Sequence, residues 1–266
     1  MITDTWYLAN HRIIHKFKGS ASNIYIVVDN RLKMSFLVDC GMPSDANSLA
    51  KVLGHMPPLK RIVCTHFHVD HISGWLHLKT IFKDCSIWFH EKGKPSVAGR
   101  KRISFPSVDD FKKVLIPCMR EAGYFPSLTD LLKGGLYGTP FIRGFPLDRV
   151  KFFASDQEML SGFMTLHTPG HRPESVSFFD QDSGVFISGD FIIIINGEIA
   201  DNTFLTSEIE QKASIDMIKR LKGISAIFPG HGVCRSFSKN DFENRTKVGQ
   251  IPCGRTKAPF RGYRDR

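Results

Sequence analysis

The sequence lacks long apolar runs, a secretory signal and closely spaced cysteines. No apolar stretch approaches the ~20 residues that a membrane-spanning helix needs, and the longest, Phe191 to Ile195, stops at Asn196-Gly197. The first residues carry no basic start followed by an apolar core, which argues against a secretory leader. The six cysteines never occur as C-x-x-C, and those in apolar runs are predicted to be reduced and packed. We therefore expect a protein without a membrane span that is located in the cytoplasm.

Positive charge exceeds negative charge by ten, with 36 Lys and Arg against 26 Asp and Glu. Much of the excess lies in two stretches, Lys92 to Lys113 and the tail Arg245 to Arg266. Such stretches attract anions, including nucleic acid, a membrane surface or an acidic substrate. Neither stretch carries a recognisable nucleic-acid-binding module, so a solvated basic surface is favoured over a nucleic-acid site.

Apolar patterning predicts a layered α/β fold in which strands alternate with helices. In the first ninety residues, strands are predicted at 23–28, 35–38, 61–64 and 86–90, and helices at 45–53 and 70–82. Strands return after Val150, at 163–168, 175–179, 185–188 and 225–228, with a helix at 206–222.

Residues 91–150 interrupt this alternation and are rich in Pro, Gly and Phe, with short helical pieces predicted at 108–119 and 128–133. We interpret them as an inserted cap over the site. Its apolar side chains are predicted either to line a substrate pocket or to fix the insertion to the core; they are Phe125, Leu131, Leu132, Leu136, Tyr137 and Phe141. The predicted organisation is one domain over 1–244 with this insertion, followed by a basic C-terminal tail over 245–266.

The segment Thr65 to His71 follows the predicted strand at 61–64 and has the pattern H-x-H-x-D-H. Residues two apart in an extended chain point the same way, so His66 and His68 can present imidazoles to one point. Asp70 and His71 add two further donors where strand gives way to helix. Four nitrogen and oxygen donors in six residues are what a divalent-cation site requires.

Similar donors follow the other predicted strands. Five apolar strands end in a loop whose first polar residues are metal donors or their supporters, namely Asp39, His66 to His71, His171, Asp190 and His231. Pro-Gly-His occurs twice and Ser-Gly-Asp once, and the glycines permit tight turns and close backbone approach. Five His and two Asp are the ligand supply of a two-metal site.

With these motifs the chain resembles the metallo-β-lactamase superfamily, all five of whose motifs have matches here, in order, over residues 39–231. The resemblance implies a four-layer αββα sandwich with two divalent metal ions at one edge. It implies one ion on His66, His68 and His171, and a second on Asp70, His71 and His231, with Asp190 bridging the two. It also implies that Asp39 orients the ligand loops by hydrogen bonding. Zinc is the first choice of metal, with iron or manganese as alternatives.

Departures from the family patterns narrow the field. Asp190 stands where many true β-lactamases have a cysteine ligand, which argues against antibiotic hydrolysis. His68 stands where the oxygen- and nitric-oxide-reducing diiron branch usually has Glu. An Asp bridge resembles glyoxalase II, the acyl-homoserine lactonases and ribonuclease Z, and the long cap resembles lactonase-type members. Arg172 replaces the usual Thr after the third-motif histidine, and we expect it either to touch an anionic substrate at the mouth of the site or to be an ordinary surface residue.

The predicted function is hydrolysis of an ester, lactone or thioester in a small-molecule substrate by a hydroxide that bridges two metal ions. Asp70 is the predicted catalytic residue, passing a proton to the leaving group. The alternatives are a phosphodiesterase or ribonuclease acting on RNA or nucleotides, which the net charge supports, and a mononuclear iron thiol dioxygenase. A metal-binding scaffold without activity is the non-enzyme alternative. The sequence carries no signature of oligomeric state, and His77, His90 and His167 are left out of the predicted site.

Overall fold

The computed structural model describes residues 1–101, 108–110, 112, 116–133, 144–155, 157–195, 197–200, 202, 204–238 and 241. The strands of this part of the chain are β1 (Ile2–Tyr7), β2 (Arg12–Lys18), β3 (Asn23–Asp29), β4 (Met34–Val38), β5 (Leu59–Val63), β6 (Ile87–His90), β7 (Val150–Phe153), β8 (Met164–His167), β9 (Val176–Asp180), β10 (Val185–Gly189), β11 (Ile193–Ile195), β12 (Glu198–Ala200), β13 (Ala226–Pro229) and β14 (Arg235–Ser236). The helices are α1 (Asp45–Leu53), α2 (Val69–Ile72), α3 (Trp75–Ile81), α4 (Lys94–Val97), α5 (Val108–Asp110), α6 (Ile116–Ala122), α7 (Leu128–Lys133) and α8 (Glu208–Arg220), with a 3-10 turn at Glu91–Gly93.

The strands form two large sheets and a hairpin. The first sheet contains β1 to β7 in sequence order, and the second has the order β14-β13-β10-β9-β8. In the first sheet, β1 to β4 are antiparallel neighbours, whereas β4 to β7 run parallel. In the second sheet, β10 and β13 are parallel and α8 lies between them in the chain. The carboxyl ends of β4 and β5 therefore lie side by side at one edge of the first sheet, and those of β10 and β13 lie side by side at one edge of the second.

Three hydrophobic clusters define four layers. The middle cluster lies between the sheets and contains Val27 of β3 and Phe228 of β13. Successive strand residues point to opposite faces, so Ile26 of β3 packs in a second cluster that also contains residues of α1 and α3. Phe186 of β10 packs in the third cluster with residues of α8. The predicted four-layer αββα sandwich is confirmed.

The predicted continuous helix over 70–82 is wrong, because the chain forms α2 and α3 with a break at Ser73 and Gly74. The backbone groups that would form helical hydrogen bonds across this break bind residues outside the helix. The Asp70 carbonyl accepts from Ser22 Oγ at 2.6 Å, and the His71 carbonyl accepts from Cys40 N at 2.7 Å. The Gly74 N–H donates to the Gly41 carbonyl at 2.8 Å. The loop after β4 thus competes for the backbone groups that would otherwise continue the helix.

The insertion is described in part. The predicted helix at 128–133 is confirmed as α7, and α5 and α6 account for much of the predicted piece at 108–119. Phe125 and Leu132 are 81% and 54% exposed, so they do not pack on the core of the described chain. Leu136, Tyr137, Phe141, the side chain of Leu131 and the basic tail 245–266 lie outside the described residues.

The single-domain organisation over 1–244 stays a prediction. In the described ranges, no helix is both long and apolar enough to cross a membrane.

Gly74 and Gly54 give a matched test of the close approach at the helix break. Both have right-handed helical φ angles, −57° and −64°, so neither backbone requires glycine. A Cβ on Gly74 would collide with the Cys40 carbonyl oxygen, whereas a Cβ on Gly54 would meet its nearest atom at 3.4 Å. We expect Gly74→Ala to lower the free energy of unfolding by about 1–3 kcal/mol, and Gly54→Ala to leave it unchanged or raise it by about 0.4–1 kcal/mol. Urea unfolding of the metal-free proteins measures both, and equal effects would contradict the steric explanation.

Candidate metal centre

The candidate centre lies where strand ends from both sheets meet. Asp39 follows β4 and the segment 66–71 follows β5, and these parallel strands are in register at Val38 and Val63. Asp190 follows β10 and His231 follows β13, which are paired at Gly189 and Pro229. Because parallel strands end at the same edge of a sheet, their loops converge there.

All seven predicted site residues come together in two groups. Within each group, the potential ligand atoms lie within 4.8 Å of one another. The first group is His66, His68, His171 and Asp190, and the second group is Asp70, His71 and His231. In the first group, Nδ1 of His68 lies 2.9 Å from Nε2 of His66 and 3.0 Å from Nε2 of His171. In the second group, Oδ2 of Asp70 lies 3.1 Å from Nε2 of His231 and 3.4 Å from Nε2 of His71.

Asp190 lies between the two groups. Its Oδ2 atom is 3.7 Å from Nε2 of both His66 and His171, and 3.3 Å from Nε2 of His231. Its Oδ1 atom is 3.4 Å from Nε2 of His71. One carboxylate therefore faces donors of both groups, as a bridging ligand must.

Hydrogen bonds on the outward side of the imidazoles fix their tautomers. Nδ1 of His171 lies 2.6 Å from the Phe204 carbonyl oxygen, and Nδ1 of His71 lies 2.8 Å from Oδ2 of Asp39. These oxygens only accept, so each Nδ1 carries the proton and donates it. In neutral His171 the inward Nε2 atom is then left with a lone pair directed at the centre, whereas Nε2 of His71 gains a lone pair only when that imidazole releases its second proton.

This donor set fits a divalent cation. In the first group, Nδ1 of His68 lies within 3.0 Å of Nε2 of both His66 and His171, and lone pairs that face one another in this way cannot satisfy one another. The buried Oδ1 atom of Asp190 makes no hydrogen bond in the described structure. Buried polar atoms without a partner are costly, and a cation is the partner that suits nitrogen and carboxylate oxygen together.

Asp39 links the loops after β4 and β5. Its carboxylate accepts from the Thr65 N–H at 2.8 Å, from Thr65 Oγ1 at 2.9 Å and from His71. Asp39 is a non-glycine residue in the left-handed region, with φ 61°, a conformation that costs on the order of 1–3 kcal/mol and persists where the surroundings fix it. These contacts agree with the orienting role that the resemblance implies for Asp39.

Burial keeps the imidazoles of the first group neutral. It lowers the pKa of His66 and His68 well below the ordinary value, and nearby imidazoles lower both further. Burial also lowers the pKa of His171, against the charge of Asp190, which raises it. At neutral pH each of these three side chains therefore keeps one ring nitrogen with a free lone pair.

The second group is charged. Burial lowers the pKa of His71 and His231, but the carboxylates of Asp70 and Asp190 outweigh it. The pKa of His71 is raised well above its ordinary value and that of His231 is raised to about 10. Burial raises the pKa of Asp70, but the two histidines outweigh it and lower that pKa to about 2. Without a metal ion, these carboxylates therefore favour the imidazolium forms of His71 and His231.

The seven side chains differ in their access to solvent. The Asp70 side chain is 22% exposed, whereas those of Asp190 and His231 are each 8% exposed. The Phe204 ring stacks on His68, with centroids 5.4 Å apart and an interplanar angle of 10°. Asp70 is thus the most accessible of these side chains, and Phe204 covers one face of the His68 imidazole.

Phe204 and Asn202 were not predicted. Asn202 donates to the Asp190 carbonyl at 3.0 Å and accepts from the Phe204 N–H at 2.9 Å, so it fixes the loop that binds His171. No motif marks this loop in the sequence, because one backbone carbonyl, one ring and one amide side chain leave no residue pattern.

Glycine is required in one of the predicted Pro-Gly-His turns by contact with the centre itself. A Cβ on Gly230 would collide with Oδ1 of Asp190 and would lie 2.9 Å from Cε1 of His71. The close backbone approach expected of this motif is therefore present.

Both expectations for Arg172 are wrong, because it lies neither at the mouth of the site nor on the surface. It is 1% exposed, and its Nε donates to Oε1 of Glu174 at 3.2 Å. Its Nη2 donates to Ser96 Oγ at 3.3 Å, and Glu174 also accepts from the Phe67 N–H at 3.3 Å. The pair joins the loops that carry His68 and His171 to α4.

The histidines excluded from the predicted site lie outside both groups of the described residues. His90 and His167 stack on each other with centroids 4.3 Å apart, and they bind Ser155 Oγ and the Pro173 carbonyl respectively.

Comparisons with known proteins address the family and the fold of the chain. A family model described as "Metallo-beta-lactamase superfamily" matches residues 18–231. The chain is 26% identical over 239 residues to "Probable metallo-hydrolase YflN" of Bacillus subtilis (strain 168), covering 83% of this chain and 84% of that protein.

Solved structures show the same fold. TTHA1623, solved in a di-iron-bound form, is 23% identical with a TM-score of 0.54, covering 83% of this chain and 92% of that chain. A metallo-beta-lactamase from Staphylococcus aureus subsp. aureus COL is 20% identical with a TM-score of 0.56, covering 90% of this chain. The present chain spans 64% of that longer chain.

The charge difference between the groups predicts different pH dependence of metal binding. His71 and His231 have raised pKa values and are protonated at neutral pH, so an ion must displace their protons and its affinity should rise as the pH rises towards these values. The first group holds neutral imidazoles, and its affinity should change much less over the same range. Isothermal titration in buffers of different ionisation enthalpy counts the released protons. Equal release on binding the first and second ions would contradict this assignment.

The Arg172–Glu174 pair predicts a non-additive effect on stability. Arg172→Met leaves a buried carboxylate without its ionic partner and should lower the free energy of unfolding by about 3–5 kcal/mol. The double variant Arg172→Met/Glu174→Gln removes the orphaned charge and should recover part of this loss. Urea unfolding gives both values, and a double variant less stable than Arg172→Met would contradict the explanation.

Proposed function

The chain belongs to the metallo-beta-lactamase superfamily, and on that premise we propose that it is a metal-dependent hydrolase that cleaves an ester, lactone or thioester. The observation that carries the proposal is the pair of donor groups that share Asp190. Its carboxylate lies within 3.7 Å of imidazole nitrogens on both sides. This arrangement is suited to holding two cations side by side.

We propose a ligand role for each of the seven residues. One ion would be held by His66, His68 and His171 and the other by Asp70, His71 and His231, with Asp190 shared between them. When bound, such a pair of ions supplies a nucleophile at neutral pH by lowering the pKa of coordinated water, and it polarises the substrate carbonyl. Imidazole and carboxylate donors suit zinc. The di-iron form of TTHA1623 supports iron as the alternative, and manganese also accepts these donors.

Asp70 is the proposed catalytic side chain. Its pKa of about 2 keeps it ionised at neutral pH. Of the two carboxylates in the centre, Asp70 is more exposed than Asp190. An ionised carboxylate at the opening can accept a proton from the nucleophile and pass it to the leaving oxygen or sulfur. Phe204 stacks on His68 and covers one face of that imidazole.

Two observations favour this reaction over the alternatives. Arg172 lies close enough to lower the pKa of His68 and His171, but it is buried against Glu174 and cannot bind a phosphate. This weakens the phosphodiesterase alternative. The assembled group of Asp70, His71 and His231 argues against a mononuclear iron dioxygenase, which needs one ion only.

We also propose a reducing compartment, the cytoplasm, and a small-molecule substrate. The cysteines of the described chain that support the compartment are buried and unpaired; they are Cys40, Cys64, Cys85 and Cys234. Such thiols are typical of reduced proteins.

The proposal is tested by assaying zinc-loaded and manganese-loaded protein side by side on an acyl lactone, a thioester and an activated phosphodiester. We expect turnover of the carbonyl substrates and a loss of at least about 100-fold in Asp190→Ala, because that variant removes the shared carboxylate. Asp216→Ala is the matched control, since Asp216 is exposed on α8.

The outcomes separate the alternatives. Turnover of the phosphodiester alone would overturn the proposal in favour of a nuclease-type reaction. Oxygen consumption with a thiol substrate, at one iron per chain, would indicate the dioxygenase. Two bound ions with no turnover in any assay would revive the metal-binding scaffold.

A further inference from the structure

The loop that carries His231 is held by Asn23, the first residue of β3. The Asn23 N–H donates to the Gly230 carbonyl at 2.8 Å. Its Nδ2 group donates to the Pro229 carbonyl at 2.8 Å and to the Gly232 carbonyl at 2.9 Å. One residue of the first sheet thus binds the loop on both sides of His231, which comes from the second sheet.

The insertion supplies the remaining partner of Asn23. The Tyr124 hydroxyl donates to Oδ1 of Asn23 at 2.7 Å and accepts from the Gly232 N–H at 3.4 Å. The Tyr124 side chain is fully buried, and its ring meets His231 edge to face at 5.9 Å between centroids. Through the Tyr124 ring, the insertion therefore contacts His231, a residue of the second group.

The end of α6 directs Tyr124 inward. Gly123 has a left-handed φ of 63°, and the Tyr124 N–H donates to the Met119 carbonyl at 2.9 Å. This is the pattern of a helix closed by a glycine C-cap, which turns the chain back across the helix end. α6 also lies against β11, so the helix that ends at Tyr124 is docked on the core.

The network leaves little freedom in its orientation. The two donors of the Asn23 amide face carbonyl oxygens, so Oδ1 must face a donor, and Tyr124 supplies it. The Tyr124 hydroxyl can then still accept from Gly232. A fully satisfied buried network of this kind favours one geometry over all others.

We propose that Asn23 and Tyr124 are positioning residues for His231, through which the inserted segment sets the metal affinity of the Asp70, His71 and His231 group. The inference rests on the ligand roles in the proposed function. Neither residue donates an atom to either group, so their effect is on the direction of the His231 imidazole. By linkage, binding of the second ion also stabilises the docked position of Tyr124 and α6.

The test is titration of metal-free Tyr124→Phe with Zn²⁺, measured by calorimetry, and with Co²⁺, measured by the absorption spectrum. This change removes one hydroxyl and keeps the packed ring. We expect the second ion, held by Asp70, His71 and His231, to bind about 10–100-fold more weakly than in the wild type. The affinity of the first ion, held by His66, His68 and His171, should be unchanged. Asn23→Asp, which replaces both amide donors by a carboxylate oxygen, should have the larger effect.

Ser161→Ala is the matched control. It removes the hydrogen bond from Ser161 Oγ to Oδ2 of Asp29, 2.5 Å long, at the other end of β3. A general loss of stability would therefore appear in it as well, and both ions should still bind as in the wild type. In wild type, the second ion should also slow amide exchange in α6, and this slowing should be lost in Tyr124→Phe.

Unchanged affinity for both ions in Tyr124→Phe would overturn the inference, as would equal weakening of the two. So would a wild-type chain that binds one ion only. These readouts do not depend on turnover: a protein that binds two ions and hydrolyses nothing contradicts the proposed reaction and leaves this inference standing.

Discussion

The carboxylate of Asp39 is the contact on which the geometry of the candidate centre depends. It fixes Thr65, next to His66, through two hydrogen bonds, and it fixes the outward nitrogen of His71 through a third. One short side chain therefore sets the positions of residues that belong to different groups. The left-handed backbone at Asp39 is tolerated because these contacts and the β4–β5 pairing hold it. Because the same residue, Asp39, has the strained backbone and orients His71, the conformation of its loop is part of the site.

Charge balance gives the centre its second property. The imidazoles of the first group are neutral, whereas His71 and His231 each carry an extra proton against the carboxylates of Asp70 and Asp190. Buried carboxylates without counter-charge would be very costly. Protons on His71 and His231 supply that counter-charge where a divalent ion otherwise would. The centre is thus arranged so that cations and protons compete for the same nitrogens.

The sequence was sufficient for the layered fold and for the seven residues that the structure brings together, because strand-end donors and apolar alternation are local patterns. Their role as metal ligands stays a prediction. The break at Gly74 was missed because tertiary partners, Cys40 and Gly41, take the backbone bonds of the helix. Arg172 was misplaced because its partner Glu174 reads as polar surface in sequence, yet both are buried. Tyr124 was missed because its partners are remote in sequence: Asn23, which its hydroxyl binds, lies 101 positions away, and His231, which its ring contacts, is also distant.

The division of donors between the two sheets has a mechanical consequence. The segment 66–71 belongs to the first sheet, whereas His171, Asp190 and His231 follow strands of the second. An ion bound across this boundary would act as a reversible cross-link between the halves of the sandwich. Unfolding would have to break that cross-link, so the metal concentration around the protein would help to determine how long the folded chain survives.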